Sequence, residues 1–154
     1  MIRVLAATDF SADGRVVVDF AANLVRQCGG KMYLLHVVEP CMVNAAGCLT
    51  PNELADGDSL DELHHRSLLN IAHTRATRAA EKISSKWDIP IYGKAEEADD
   101  VVECIHNFCG RHHIDLLVIG NRHHFLLSSI LLGNTAEKLM RTSKIPVTVV
   151  PCCV

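Results

Sequence analysis

Short apolar runs alternate with segments of helical period from one end of the chain to the other, and this alternation restricts the fold more than any other feature. The runs predicted as strands are Ile2–Ala7, Lys31–Val38, Ile89–Lys94, Leu116–Gly120 and Pro146–Val150. After Ser11, a candidate N-cap, Val17, Phe20, Ala21, Leu24 and Cys28 recur at helical spacing and stop at Gly29-Gly30. Leu68, Ile71, Ala72, Ala76, Ala79 and Ile83 form one stripe of a long helix running from Ser59 to about Lys86. Val101, Val102, Ile105, Phe108 and Cys109 mark a third helix, which Gly110 is predicted to end. Asn134 and Glu137 have the spacing of a capping box ahead of Ala136, Leu139 and Met140.

A continuous run such as Leu116–Gly120 suits only a strand covered on both faces. Alternating β and α elements of this kind predict an α/β fold, a doubly wound five-stranded parallel sheet with helices on both faces. Pro90 assigns the third strand to an edge, since proline donates nothing to a ladder. Glu39–Asp58, with Pro40, Gly47, Pro51 and Gly57, reads as a long surface loop. In such sheets ligands bind beyond the carboxyl ends of the strands, where the winding reverses. The residues to question are therefore Thr8-Asp9, His36-Val37, Gly120 to Gly133, and the start of the last helix.

Composition narrows the function. With 154 residues, 49% of them hydrophobic, 21% charged and a formal net charge of −3, the chain reads as one domain spanning 1–154 and is too apolar for disorder. No apolar run approaches the roughly 18–20 residues of a membrane span. Met1–Asp9 lacks a small-residue cleavage site, so a cytoplasmic protein without a membrane partner is expected. The acidic balance and 5% aromatic content argue against a nucleic-acid partner. Seven cysteines without an export signal read as buried small hydrophobes or free thiols rather than a disulfide framework.

Five segments carry a resemblance: Val4–Ser11 (VLAATDFS), Leu34–Pro40 (LLHVVEP), Ile114–Arg122 (IDLLVIGNR), Leu131–Leu139 (LLGNTAEKL) and Ile145–Pro151 (IPVTVVP). In that order they resemble the universal stress protein family. The resemblance implies strand order 3-2-1-4-5 and an adenine nucleotide alpha hydrolase-like fold. It also implies a cytosolic stress-response binding protein whose pocket holds an adenine nucleotide, ATP or AMP, with magnesium accompanying ATP. By match, Asp9 and the backbone at Val37 contact adenine, with Ala7 and Thr8 at the pocket wall. The family's phosphate loop, G-x-x-G-x9-G-[S/T], matches here at Gly120 and Gly133. His123 stands at the middle glycine, Leu126 at a further glycine, and Asn134 at the Ser/Thr position, followed by Thr135. A histidine at a position needing positive φ costs about 1–2 kcal/mol. Arg122, His123 and His124 offer cationic donors in return.

The family's two-fold dimer through the last strand implies a homodimer, and Val147, Val149 and Val150 fit an apolar edge that needs covering. Two other functions compete: a slow ATPase or nucleotidyl-transfer enzyme, and a protein-interaction module without nucleotide. No catalytic motif supports the enzyme, since the chain has no G-x-S-x-G elbow, complete Walker loop or H-E-x-x-H. No metal site is expected. The pairs His64-His65, His112-His113 and His123-His124 point their rings apart on a helix or strand, and Cys109-x-x-His112 straddles Gly110. His36 is expected to be structural, close to the pocket wall. Cys104 and Cys109 read as packing residues, and Cys152-Cys153 as an exposed chain end.

Overall fold

The computed structural model describes residues 1–39, 60–121 and 134–151, with the side chains of 12, 13 and 60–68 outside the description. The elements are β1 (Ile2–Ala7), α1 (Ala12–Cys28), β2 (Gly30–Val38), α2 (Leu60–Trp87), β3 (Ile91–Glu97), α3 (Val101–His112), β4 (Leu116–Asn121), α4 (Asn134–Thr142) and β5 (Val147–Pro151). All ladders are parallel and the sheet runs β3-β2-β1-β4-β5, as the sequence implied. The loop expected over Glu39–Asp58 falls, from Pro40 onward, outside the described residues.

Each face of the sheet has its own core. Val17, Val18, Ala21, Ala22 and Val25 of α1 pack on Val4, Ala6, Met32, Leu34, Val118 and Val150, with Ala79, Ile83 and Trp87 of α2 beside them. On the other face Ile105, Phe108 and Cys109 of α3 and Ala136 and Leu139 of α4 cover Leu5, Tyr33, Leu35, Leu117 and Ile119. Alternation along β1 explains the division, because successive side chains point to opposite faces. Each fully buried Leu or Phe contributes about 1.5–3 kcal/mol of transfer free energy.

The helix termini follow from local chemistry. Ser11 caps α1 by accepting from the Gly14 N–H at 3.2 Å. Gly29 ends the helix at φ 69°, its N–H donating to the Val25 carbonyl at 2.9 Å. Asp100 caps α3 through Oδ1, which accepts from Val102 and Glu103 at 2.8 and 3.0 Å.

Several sequence expectations need correction. Gly110 does not end α3. The helix runs to His112, and His113 closes it in the left-handed region at φ 51°. Ile114 N–H reaches the Cys109 carbonyl and His113 N–H the Gly110 carbonyl, the paired bonds of a Schellman motif. Ile71 is 60% exposed and falls outside the buried stripe of α2, whereas Ala80, at 2%, belongs to it. Pro90 is followed by a strand that starts at Ile91 and reaches Glu97, although β3 does occupy an edge. Asn121 belongs to β4 and pairs with Pro151 instead of opening a loop. Asn134 is the first residue of α4, and the Glu137 carboxylate lies 3.6 Å from the Arg141 guanidinium. Val150 is only 6% exposed and packs into the α1 core, so of the three valines assigned to an interface it is already covered.

Candidate functional site

A parallel sheet places every strand's carboxyl end, and every following helix's N-terminus, along one edge. In this sheet the chain winds one way from β1 through β3 and the other way from β4, so the gap opens between β1 and β4. A crevice of about 500 Å³ lies there. Ala7, Thr8 and Asp9 enter it from β1, Leu35, His36 and Val37 from β2, Ile119 and Gly120 from β4, and Asn134 and Thr135 from α4. Segments more than a hundred residues apart in sequence therefore share one cavity.

The β1–α1 turn is held from several sides. Thr8 N–H donates to the Leu35 carbonyl at 2.9 Å, and Thr8 Oγ1 accepts from Phe10 N–H at 3.1 Å. Asp9 Oδ1 accepts from Ser11 N–H at 3.0 Å and from Ser11 Oγ at 2.6 Å. Phe10 is carried at φ 60°, and its ring lies 5.1 Å from the His36 ring. His36 Nδ1 is 2.9 Å from the Thr8 carbonyl oxygen. A carbonyl only accepts, so Nδ1 bears the proton and His36 ties β2 to the turn. This is the structural histidine that the sequence led us to expect beside the pocket.

Gly14 explains how α1 comes so close. A Cβ there would overlap Thr8 Oγ1, so a larger residue would force the Thr8 hydroxyl out of the place from which it accepts the Phe10 N–H. The remaining wall is apolar, from Val101, Ile105, Ala136 and Leu139 on α3 and α4. The cavity thus offers the carboxylates of Asp9 and Glu39, backbone groups at the ends of β1 and β2, and the N-terminus of α4. That donor set suits a ligand with a planar polar base and an anionic tail.

Of the residues singled out from sequence, Ala7, Thr8, Asp9, Val37, Gly120, Asn134 and Thr135 are brought together in this crevice. Arg122, His123 and Gly133 lie outside the described residues, as do His124 and Leu126. Sequence reasoning did not assign Ser11, Gly14, Glu39, Val101, Ile105 or Leu139 to the site. The available signal was Gly14, three residues past an N-cap, where a helix gains nothing from glycine unless something approaches it. Cys109 is buried, and the His112 ring lies 4.2 Å from that of Phe108.

Comparison with known proteins places this geometry in a family. The sequence model described as "Universal stress protein family" matches residues 1–151. The chain is 24% identical over 148 residues to "Universal stress protein A homolog" of Haemophilus ducreyi, covering 96% of this chain and 94% of that one. The homolog of the same name from Pasteurella multocida is 26% identical over 148 residues, with the same coverages. Among solved structures, the universal stress protein UspA of Lactobacillus plantarum has a TM-score of 0.71 at 16% identity, covering 97% of each chain. A universal stress protein in complex with cAMP has a TM-score of 0.66 at 17% identity, covering 97% of this chain and 96% of that one. An Archaeoglobus fulgidus universal stress protein in complex with dAMP has a TM-score of 0.56 at 20% identity, again covering 97% and 96%. At these identities the solved structures establish the shared fold, while the family match spans nearly all of the sequence. The chain belongs to the universal stress protein family.

Proposed function

We propose that the crevice between the ends of β1 and β4 binds an adenine nucleotide, AMP or ATP, with magnesium accompanying ATP. The observation that carries this reading is the convergence of Asp9, Val37, Gly120 and the first turn of α4 on one cavity of about 500 Å³. Its size lies within the range of small-ligand pockets. Asp9 and the Val37 backbone would read the base, and Asn134 and Thr135 at the α4 N-terminus would face the phosphates. Arg122, His123 and Gly133 complete the proposed phosphate loop. The cAMP and dAMP complexes of proteins with this fold support an AMP-type ligand.

The protein would work by binding, as a single domain over 1–154 in the cytoplasm; among the described residues no helix is long and apolar enough to cross a membrane. It would pair with a second copy through β5, the sheet edge on which Val147 and Val149 remain half-buried.

Isothermal titration with AMP, ADP and ATP, with and without magnesium, tests the nucleotide reading. Asp9→Asn keeps an oxygen for Ser11 but removes the charge. A charged hydrogen bond contributes about 1.5–3 kcal/mol, so affinity should fall roughly 10- to 100-fold. Absence of heat for every nucleotide, with the wild-type fold intact, would retire this function. A monomeric mass in light scattering at micromolar concentration would retire the dimer.

A further inference from the structure

A basic seam runs between α1 and α2 on the face away from α3 and α4. On α2, Arg75, Arg78, Lys82 and Lys86 follow one another at spacings of three, four and four, which places them on one stripe. Both ends of that stripe touch the α1 side. The Arg75 guanidinium sits 5.4 Å from the Phe10 ring centroid, and Lys86 Nζ lies 3.0 Å from Asp19 Oδ1. Asp19 also accepts from Trp87 Nε1 at 3.2 Å, so its flank of α1 faces α2. Arg15 and Arg26, four residues before and seven after Asp19, share that flank and are exposed.

Among the described residues six cations thus border the seam against Asp19, already engaged by Lys86, and Glu81 at its edge, in a chain whose formal net charge is −3. Among the described residues no carboxylate pairs with Arg15, Arg26, Arg75, Arg78 or Lys82. Glu81, three residues past Arg78, borders the row, but among the described residues no ion pair joins it to Arg78 or Lys82. Beside the row, at the end nearer Phe10, Val16 is 44% and Ile71 60% exposed.

We propose that this seam docks an acidic, partly apolar segment of a partner protein. The row from Arg75 to Lys86 is about 16 Å long at 1.5 Å per residue. Carboxylates at i, i+3 and i+4 of a partner helix repeat at about 5–6 Å and match it in register. Val16 and Ile71 offer an apolar anchor at one end. An anionic membrane fits less well, because a chain of net charge −3 is repelled by such a surface and Val16, Phe20 and Ile71 make only a small apolar patch beside the row. Nucleic acid fits less well too: the rings at the ends of the row, Phe10 and Trp87, lie under Arg75 and Lys86, which among the described residues near the row leaves Phe20, 43% exposed, to stack on a base.

The test uses the full chain and a fluorescein-labelled helical 18-mer with Glu at i, i+3 and i+4 and two Leu at one end, read by anisotropy. Binding should weaken at least tenfold in Arg78→Glu/Lys82→Glu and also when salt is raised from about 50 to 500 mM. Lys94→Glu, on β3, should leave it unchanged. Arg78→Gln/Lys82→Gln serves as a second variant, and circular dichroism confirms folding of each. Equal binding by wild type and both double variants overturns the proposal. So does tighter binding of phosphatidylserine vesicles or duplex DNA than of the peptide. Salt-sensitive self-association abolished by the reversal would assign the seam to another copy of this chain, whose Glu96, Glu97, Asp99 and Glu103 line one shallow cleft between β3 and α3, and overturn it equally. Nucleotide binding is independent of each outcome.

Discussion

The two faces of the sheet are built on different principles. Under α1 and α2 the buried residues are mostly small: Ala21, Ala22, Ala72, Ala76, Ala80 and several valines. Small side chains bring helix backbone directly onto the sheet, and a Cβ on Gly93 of β3 would collide with the Ala76 carbonyl of α2. Under α3 and α4 the layer is thick, with Phe108, Leu5, Leu35, Leu117 and Leu139 fully buried and Tyr33 nearly so. The Tyr33 ring lies 5.7 Å from Phe108 and 4.9 Å from His112. One face is intolerant of added atoms and the other of lost ones. Val101, Ile105, Ala136 and Leu139 of the thick face also line the crevice, whereas none of the described side chains of α2 does.

Four experiments press on this contrast. Phe108→Ala should cost the most, about 3–5 kcal/mol in urea unfolding, because it opens a cavity among large neighbours that do not collapse. Gly93→Ala should cost about 1–3 kcal/mol by overpacking, although alanine is ordinarily favoured over glycine in a strand. Should Gly93→Ala prove neutral, α2 does not lie on the β3 backbone and the contrast fails.

Thiol reactivity gives a second measure of how well these elements are sealed. Burial pushes the Cys109 thiol up to about 11, and burial together with the Glu96 carboxylate does the same for Cys104. At pH 8 both should resist iodoacetamide while exposed Cys28 is modified, as peptide mass spectrometry would read. Rapid labelling of Cys109 would mean that the thick face opens locally. The smallest effect concerns His112, whose ring is pushed below its ordinary 6.5 by burial and then by Arg111. The unfolded chain then binds the proton more readily, so stability should fall as pH drops through about 6.5 and level off below the folded value. His112→Phe should flatten that part of the profile; an unchanged profile would remove His112 from the account.

Much of the fold is legible in the sequence because its signals are local and repeated. Strand-length apolar runs, Ser11 and Gly29 as helix boundaries, and an edge strand behind Pro90 each follow from a few adjacent residues. The departures have long-range causes. Gly110 is a reasonable stop until His112 is seen to lie on Tyr33 of β2, which α3 covers; the helix continues to His112 and His113 closes it. Ile71 fits the α2 stripe by period, yet α2 presents Ala72, Ala76 and Ala80 to the sheet because Gly93 demands a close approach. The crevice was half legible. Asp9 follows β1 and Val37 stands in the carboxyl end of β2, positions that topology alone makes suspect, whereas Ser11, Gly14 and Ile105 join the wall only through the way helices lie on strands.

By itself the sequence determined which segments become strands and helices, and that their order demands parallel crossovers, since hydrophobic period and turn chemistry are properties of neighbours along the chain. Tertiary structure alone decided that Asp9, Gly120 and Thr135 share one cavity and that six cations gather between two helices. Such meetings depend on the angle and depth at which packed elements settle, and those are fixed by contacts between residues distant in the chain.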